Sequence, residues 1–455
     1  MIQTKTDNCI YAPSTPLRKV LRDVYRNRAP IALVCDRKKV LLGVVTISDI
    51  KRALMNGHDP NAPIRLVMNT KFVSAPRTTS VQRLAELARS KNHFGTGNIG
   101  KVPLLDASGR VTGVYLSKEH ASKSEMTVLV TGGAGYLGSH LCRLLLKRGY
   151  RVVVLDKLLF GDESLKKLAS HPNFTLINGD IADIGTLVQV VPGADAVIHL
   201  AGIVGDPASS LNPLQTMEEN HFATKTLVDV CKYYQVSRFI FASSCSVYGA
   251  SKDMLNEQSP LNPVSLYAQS KRYSERDLLR AAADDFHPTI LRFGTLYGAS
   301  ARMRFDLVVN TMTAHAHFNK KIMVDGGNQW RPLLHVTDAA RACLMAMEAP
   351  LHKVSGQIFN VGDSTENYRI IDIAQAVLKA VPQSTLDARD TLKDRRDYRV
   401  SFAKIRKAIG FKTRYTLEKG IRELLSEIKA GKFDRWKEKR YNNYLSLKSA
   451  LEILS

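Results

Sequence analysis

The distribution of apolar positions changes character near residue 127. From there on, apolar runs of four to six residues recur at Thr127–Val130, Arg151–Leu155, Phe174–Ile177, Ala196–Leu200, Arg238–Ala242 and Thr289–Phe293, with amphipathic stretches of helical length between them. Runs without internal polar alternation predict strands buried on both faces. Their alternation with helices predicts a parallel sheet covered on both sides, the doubly wound α/β class. Before residue 127 the pattern is different, and it occurs twice. ALVCDRKKVLLGVVTISDI (32–50) aligns with VPLLDASGRVTGVYLSKEH (102–120) at an offset of 70, which places Asp36 on Asp106, Gly43 on Gly113 and Val44 on Val114. Each copy reads as two strands joined by a polar turn and followed by a helix start. Helix-period stretches, Pro16–Asn27 and Ser80–Lys91, precede the two copies. Repeats this small bury their apolar faces against each other. The polar segment 121–126 is a short linker, so the predicted division is 1–122 and 123–455.

Composition adds exclusions. With 455 residues, 44% hydrophobic and 24% charged, the chain is an ordinary globular one of two or more domains. No apolar run approaches the roughly 18 residues of a membrane span. The polar start MIQTKTDN has no apolar signal region. The six cysteines form no CxxC pair, which predicts neither zinc site nor disulfide framework and fits the reducing cytoplasm. The net charge of +23 is uneven: +12 lies in residues 1–120, +8 in 401–455 and only +3 between. No nucleic-acid-binding motif accompanies this charge, so no nucleic-acid partner is expected. A basic surface around nucleotide sites is the reading carried forward.

The strongest chemistry-bearing pattern is TVLVTGGAGYLGSHLCRLLLKRGYRVVVLD. A buried strand runs into Gly132-x-x-Gly135-x-x-Gly138, then come a helix and a second strand ending in Asp156. Glycines allow a tight turn and close approach of pyrophosphate to a helix N-terminus, where free N–H groups favour negative charge. A carboxylate ending the second strand accepts hydrogen bonds from ribose hydroxyls and repels a 2′-phosphate, so NAD is favoured over NADP, with Lys157 the one residue against. Further along, His199-Leu-Ala-Gly202 closes a strand, Ser243-Ser-Cys-Ser-Val-Tyr-Gly249 follows another, and Tyr267-x-x-x-Lys271 places two side chains on one helix face. A nearby ammonium is expected to lower the phenol pKa so that Tyr267 exchanges a proton with a substrate hydroxyl, with Ser244 holding the same oxygen.

On these motifs, together with LRFGTLYG and RPLLHVTDAA, residues 127 to about 430 resemble the extended short-chain dehydrogenase/reductase family of nucleotide-sugar epimerases and dehydratases. The resemblance implies a Rossmann-type sheet with a small C-terminal substrate-binding subdomain. It implies catalytic Ser244, Tyr267 and Lys271, and an NAD site built from Gly132, Gly135, Tyr136, Leu137, Gly138, Asp156, Lys157, Asp180, Ile181, Leu200, Ala201, Gly202, Tyr267 and Lys271. Substrate contacts fall to Ser244, Ser246, Arg304 and Arg331, with Arg395 and Arg396 both open as a further phosphate contact. Asn220 would brace the active-site helix, and His199 reads as structural. No metal site is implied. The 4,6-dehydratases carry Thr-Asp-Glu where this chain has Ser244-Cys245-Ser246. The expected reaction is therefore reversible oxidation at a sugar carbinol, most often C4, in an epimerase; a dehydrogenase or ketoreductase and a non-catalytic nucleotide sensor are the alternatives. Cys245 reads as packing.

The N-terminal repeats resemble a tandem CBS domain, an α+β pair that binds adenine nucleotides between its halves. The first copy carries the family pattern as Gly43-Val-Val-Thr46-Ile-Ser-Asp49, which implies Thr46 on phosphate and Asp49 on ribose; the second substitutes Leu116 and Glu119. Both resemblances imply a homo-oligomer.

Overall fold

The computed structural model describes residues 2–3, 9–26, 31–46, 49–50, 53, 58–89, 101–116, 126–389 and 396–454. The chain divides into two compact units, residues 1–125 and 126–455. Glu119, Arg395 and most of the expected linker lie outside the described residues.

In the first unit the repeat is visible in the backbone. Ile10–Tyr11 pairs parallel with Ala32–Cys35, which pairs antiparallel with Leu41–Val45. Ala75–Pro76 stands in the same relation to Lys101–Leu105 and Val111–Leu116. Even the register irregularity recurs, between Val34 and Cys35 and again between Leu104 and Leu105. The turns are built alike. Asp36 Oδ1 accepts the N–H groups of Lys38 and Val40, and Asp106 Oδ1 those of Ser108 and Arg110, all at 2.8–2.9 Å. The two hairpins then exchange equivalent bonds, Leu41 N–H to the Gly109 carbonyl (3.0 Å) and Val111 N–H to the Lys39 carbonyl (3.2 Å). That reciprocity defines a local two-fold relation between the copies. The helix Leu17–Arg26 buries Leu17, Val20 and Val24, one stripe at helical spacing, against the first hairpin.

The second unit is built on a seven-stranded parallel sheet. Its strands are β1 (Thr127–Thr131), β2 (Arg151–Asp156), β3 (Phe174–Asn178), β4 (Ala196–His199), β5 (Arg238–Ser244), β6 (His287–Phe293) and β7 (Gln357–Val361), in the order 3-2-1-4-5-6-7. All six expected apolar runs form sheet strands; β7 is the addition. Central strands are buried along their length, as the absence of alternation demands. The strand order reverses between β1 and β4, so a crevice opens beyond their carboxyl ends. A smaller layer with its own core of Val309, Ile322, Val324, Ile373, Val377 and Ile421 covers one side of that crevice, matching the expected C-terminal subdomain. All six cysteines are buried, and none is in a disulfide. Among the described residues no helix is long and apolar enough to cross a membrane, and no group of side chains could hold a metal ion.

Candidate active site

One cleft at the switch point gathers most of the residues singled out above. Its first end is made by backbone. β1 turns at Gly132, whose φ of +73° suits glycine, and a Cβ there would stand 2.7 Å from the Ala201 N. A Cβ at Gly138 would fall on the Gly132 carbonyl oxygen. The loop is thereby pressed onto the end of β4 and delivers the N-terminus of helix α1 (Gly138–Lys147), which no side chain caps. Tyr136 anchors the loop from outside, donating its hydroxyl to the Gly298 carbonyl (2.6 Å). At the end of β2, Asp156 accepts N–H bonds from Ala134 (2.9 Å) and Leu158 (2.8 Å), which leaves acceptor capacity on both oxygens. Lys157 Nζ lies 2.8 Å from Asp180 and 3.1 Å from Glu219, so its charge is already matched by two carboxylates and offers a 2′-phosphate little. Asp180, Ile181, Leu200, Ala201 and Gly202 complete this wall.

The second end is made by side chains. β5 ends on Ser244 and the 3-10 turn after it carries Ser246, and their hydroxyls lie 2.9 Å apart. Helix α2 (Leu266–Ala281), capped by Ser265, delivers Tyr267 and Lys271. The phenol of Tyr267 does not have the lowered pKa expected from its lysine: burial pushes it up to about 12, the Asp206 carboxylate adds to the rise, and a hydrogen bond with Ser244 opposes it. The reason is placement. Lys271 Nζ sits 4.7 Å above the Phe241 ring and 6.0 Å from the centre of the Tyr267 ring, and burial draws its own pKa down to about 8 against the pull of Glu275. Behind these groups runs a buried network. Ser243 donates to Glu275 (2.5 Å), Glu275 pairs with Arg292 (2.6 Å), Arg292 donates to the Tyr248 hydroxyl (2.9 Å), and that hydroxyl donates to Asn360 (2.8 Å). It locks β5, β6, β7 and α2 together, so Ser244 and Tyr267 hold fixed positions.

Asn220, in a π-helical turn, accepts from Ile203 N–H (2.7 Å) and donates to Ser270 (3.2 Å), bracing α2 against the β4 loop. His199 is fully buried, with its nitrogens 2.6 and 2.8 Å from the hydroxyls of Thr131 and Thr224; burial lowers its pKa to about 3. Cys245 is equally buried, its thiol against the Arg292 carbonyl.

Toward the substrate side, Arg304 lines the cleft, held by a two-pronged pair with Asp306 (3.0 and 2.7 Å). Arg331 is placed differently from expectation. It is only 5% exposed and donates to the carbonyls of Trp330 (2.8 Å) and Arg396 (2.5 Å), and it is not among the residues lining the cleft. The cleft-lining guanidinium there is Arg396, paired with Asp206 (2.8 Å), which in turn accepts from Ser265 (2.6 Å).

The cradle closed to any Cβ at Gly132 and the uncapped helix end fit a dinucleotide. Comparison with known proteins agrees: residues 128–362 match the NAD dependent epimerase/dehydratase family. The chain belongs to that family. The UDP-glucose 4-epimerase of Yersinia pestis is 33% identical over 281 residues, which is 56% of this chain and 82% of that one. The dTDP-glucose 4,6-dehydratase of Streptomyces niveus is 29% identical, covering 66% and 91%. Among solved structures, a UDP-glucuronic acid 4-epimerase from Bacillus cereus in complex with UDP-glucuronic acid and NAD superposes with a TM-score of 0.60 at 26% identity, covering 67% of this chain and 99% of that one. Residues 6–56 match the CBS domain.

In this epimerase/dehydratase unit, the cleft residues to which sequence reasoning gave no role include Asp206, Arg302, Tyr398 and Asn443. Each lies in or beside a loop without a local spacing code. In the CBS unit, Thr46 and Asp49 bond to each other. Asp49 Oδ2 accepts both the Thr46 N–H (2.9 Å) and its hydroxyl (2.7 Å), and the Asp49 N–H reaches back to that hydroxyl (3.3 Å). This is a reciprocal helix cap of the Thr-x-x-acid kind, with or without a ligand.

Proposed function

We propose that the chain is an NAD-dependent epimerase of a nucleoside-diphosphate sugar, inverting a ring carbinol, C4, through a keto intermediate. The observation that carries this reading is the convergence of Ser244, Tyr267 and Lys271 on the cleft that holds the glycine loop. No carboxylate stands at the Ser244-Cys245-Ser246 position, where the dehydratases keep their acid pair, and both oxygens of nearby Asp206 are engaged by Ser265 and Arg396. The epimerases among the relatives act on UDP-sugars by name, which supports the same substrate class here.

When bound, NAD supplies hydride acceptance and return. The chain supplies the rest. Tyr267 Oη, as the phenolate, takes the proton of the carbinol hydroxyl and returns it when the keto sugar is reduced, Ser244 Oγ holds the same oxygen, and the positive charge of Lys271 favours the phenolate that the transfer requires. Arg304 and Arg396 hold the diphosphate while the sugar turns.

The test begins with purified protein, denatured, and its released nucleotides identified by mass spectrometry. Near-stoichiometric NAD or NADH supports an epimerase that recycles its cofactor in place. An empty protein favours the dehydrogenase or ketoreductase reading. Incubation with UDP-glucose and UDP-glucuronic acid then reports inversion directly. Tyr267→Phe is expected to lower turnover by about 10²–10⁴-fold with NAD binding retained; full activity in that variant would remove Tyr267 from the chemistry, and a wild type that binds NAD but turns over no sugar nucleotide would leave the sensor reading. For the CBS unit the reading is nucleotide binding at Thr46 and Asp49, and a flat calorimetric titration with AMP and ATP sinks it.

A further inference from the structure

Arg302 is the charged side chain that the proposed chemistry leaves unexplained. It is 6% exposed, yet its Nε and Nη2 have no hydrogen-bond partner among the described residues. It lines the cleft, with its guanidinium stacked 3.9 Å above the Phe160 ring. A buried guanidinium without acceptors is costly, and such groups persist where a ligand completes them. The acidic group that acts on Arg302 most strongly, Asp306, is committed to Arg304. Besides the like charge of Arg304, the other groups that act on Arg302 electrostatically are Asp156 and Tyr136, which flank the two halves of the glycine-loop site. Phe160 lies just beyond Asp156 on the segment following β2.

We infer that Arg302 grips the diphosphate of the dinucleotide from the side opposite the glycine loop. The planar fork, held flat by Phe160, presents two parallel donors to phosphate oxygens, a geometry lysine lacks. Arg302 comes from the segment after Thr295–Tyr297, outside the βαβ unit that carries the loop, so cofactor binding closes two separate parts of the fold on one anion. The inference rests on the reading that this cleft holds NAD.

The test measures NAD, ADP and adenosine binding to nucleotide-free full-length protein, by calorimetry, for the wild type and Arg302→Gln. The variant is expected to bind NAD and ADP about 10–100-fold more weakly, the loss of a charged hydrogen-bond pair, with adenosine affinity unchanged. Thermal unfolding supplies the second readout. Without nucleotide the variant should melt at or above the wild type, because an unpaired buried charge has been removed, while the rise in melting temperature on adding NAD shrinks. Undiminished NAD and ADP binding in the variant overturns the inference, as does an equal loss for adenosine, or a lower melting point with the NAD-induced rise intact. A wild type that binds no NAD overturns the reading of the cleft as well. Should Arg302→Gln not fold, Arg302→Lys serves: it keeps charge but not the fork, its ADP affinity should fall between the two, and an adenosine loss as large as its ADP loss overturns the inference.

Discussion

The two ends of the cleft are built on different principles. At the cofactor end, the loop side is set by backbone: the turn at Gly132, the contact between Gly138 and the Gly132 carbonyl, and the start of α1 leave no room for a side chain there. At the substrate end, position is set by side chains from distant segments: Ser244 from β5, Arg304 after Thr295–Tyr297, Asp206 after β4, and Arg396 beside the strand Asp397–Val400. A backbone-defined site tolerates almost no substitution and accepts one ligand shape. A side-chain-defined site can be re-aimed residue by residue, which is how one fold serves several sugar chemistries.

The sharpest way to break this contrast is Gly138→Ala. One added methyl group meets the Gly132 carbonyl and the Gly133 backbone, neither of which can swing aside. NAD affinity is expected to fall by 100-fold or more, about 3 kcal/mol or above, read by calorimetry. Unchanged binding would show the loop to be adaptable and the contrast empty.

That contrast also governs what could be read from sequence. The glycine loop, Asp156 and the Tyr267–Lys271 pair are local patterns: a few residues at fixed spacing on one turn, strand or helix face. The six apolar runs predicted the sheet because burial on both faces leaves a continuous signature. Arg302, Arg396 and Asp206 are meaningful only once loops far apart in sequence meet, and no spacing records that. The displaced Arg331 makes the same point. A motif located the residue correctly in the chain, but whether its guanidinium lines the cleft depends on carbonyls at 330 and 396. The phenol pKa failed for a related reason: helical spacing put Lys271 one turn from Tyr267, but its ammonium sits over Phe241, and the desolvation that raises the phenol comes from tertiary packing.

Acid offers a test of intermediate size. His199 joins β1, β4 and the Thr224 helix beneath the cofactor end, and burial holds its pKa at about 3; His140, on α1, is held at about 4. Both fall below the unfolded value near 6.5, so below that pH the unfolded chain binds protons that the folded chain refuses. Stability is therefore fully present above about pH 6.5 and drains as pH falls toward the folded values. Between about pH 6.5 and about pH 5, His199 alone costs about 2 kcal/mol. The two tryptophans, Trp330 and Trp436, both lie in this unit, so denaturant titration followed by their fluorescence reads it alone. His199→Gln should lose about that much less over the same interval. An equal loss in the variant would place the acid-sensitive groups elsewhere.

The smallest expected effect separates the two ends most directly. Arg396 lines the cleft on its substrate side and is held by Asp206, which Ser265 fixes in turn at the cap of the helix carrying Tyr267. Arg396→Gln removes a charge from the diphosphate side without touching the glycine loop. The KM for the sugar nucleotide should rise about tenfold, or about 1.4 kcal/mol, with NAD affinity unchanged. Asp206→Asn frees the same guanidinium instead of deleting it, so the double variant should show the KM of Arg396→Gln alone, while any change in kcat reports the carboxylate that raises the Tyr267 phenol. If NAD affinity falls alongside KM in Arg396→Gln, the diphosphate grip is shared along the cleft, and the division between a backbone-built end and a side-chain-built end does not hold.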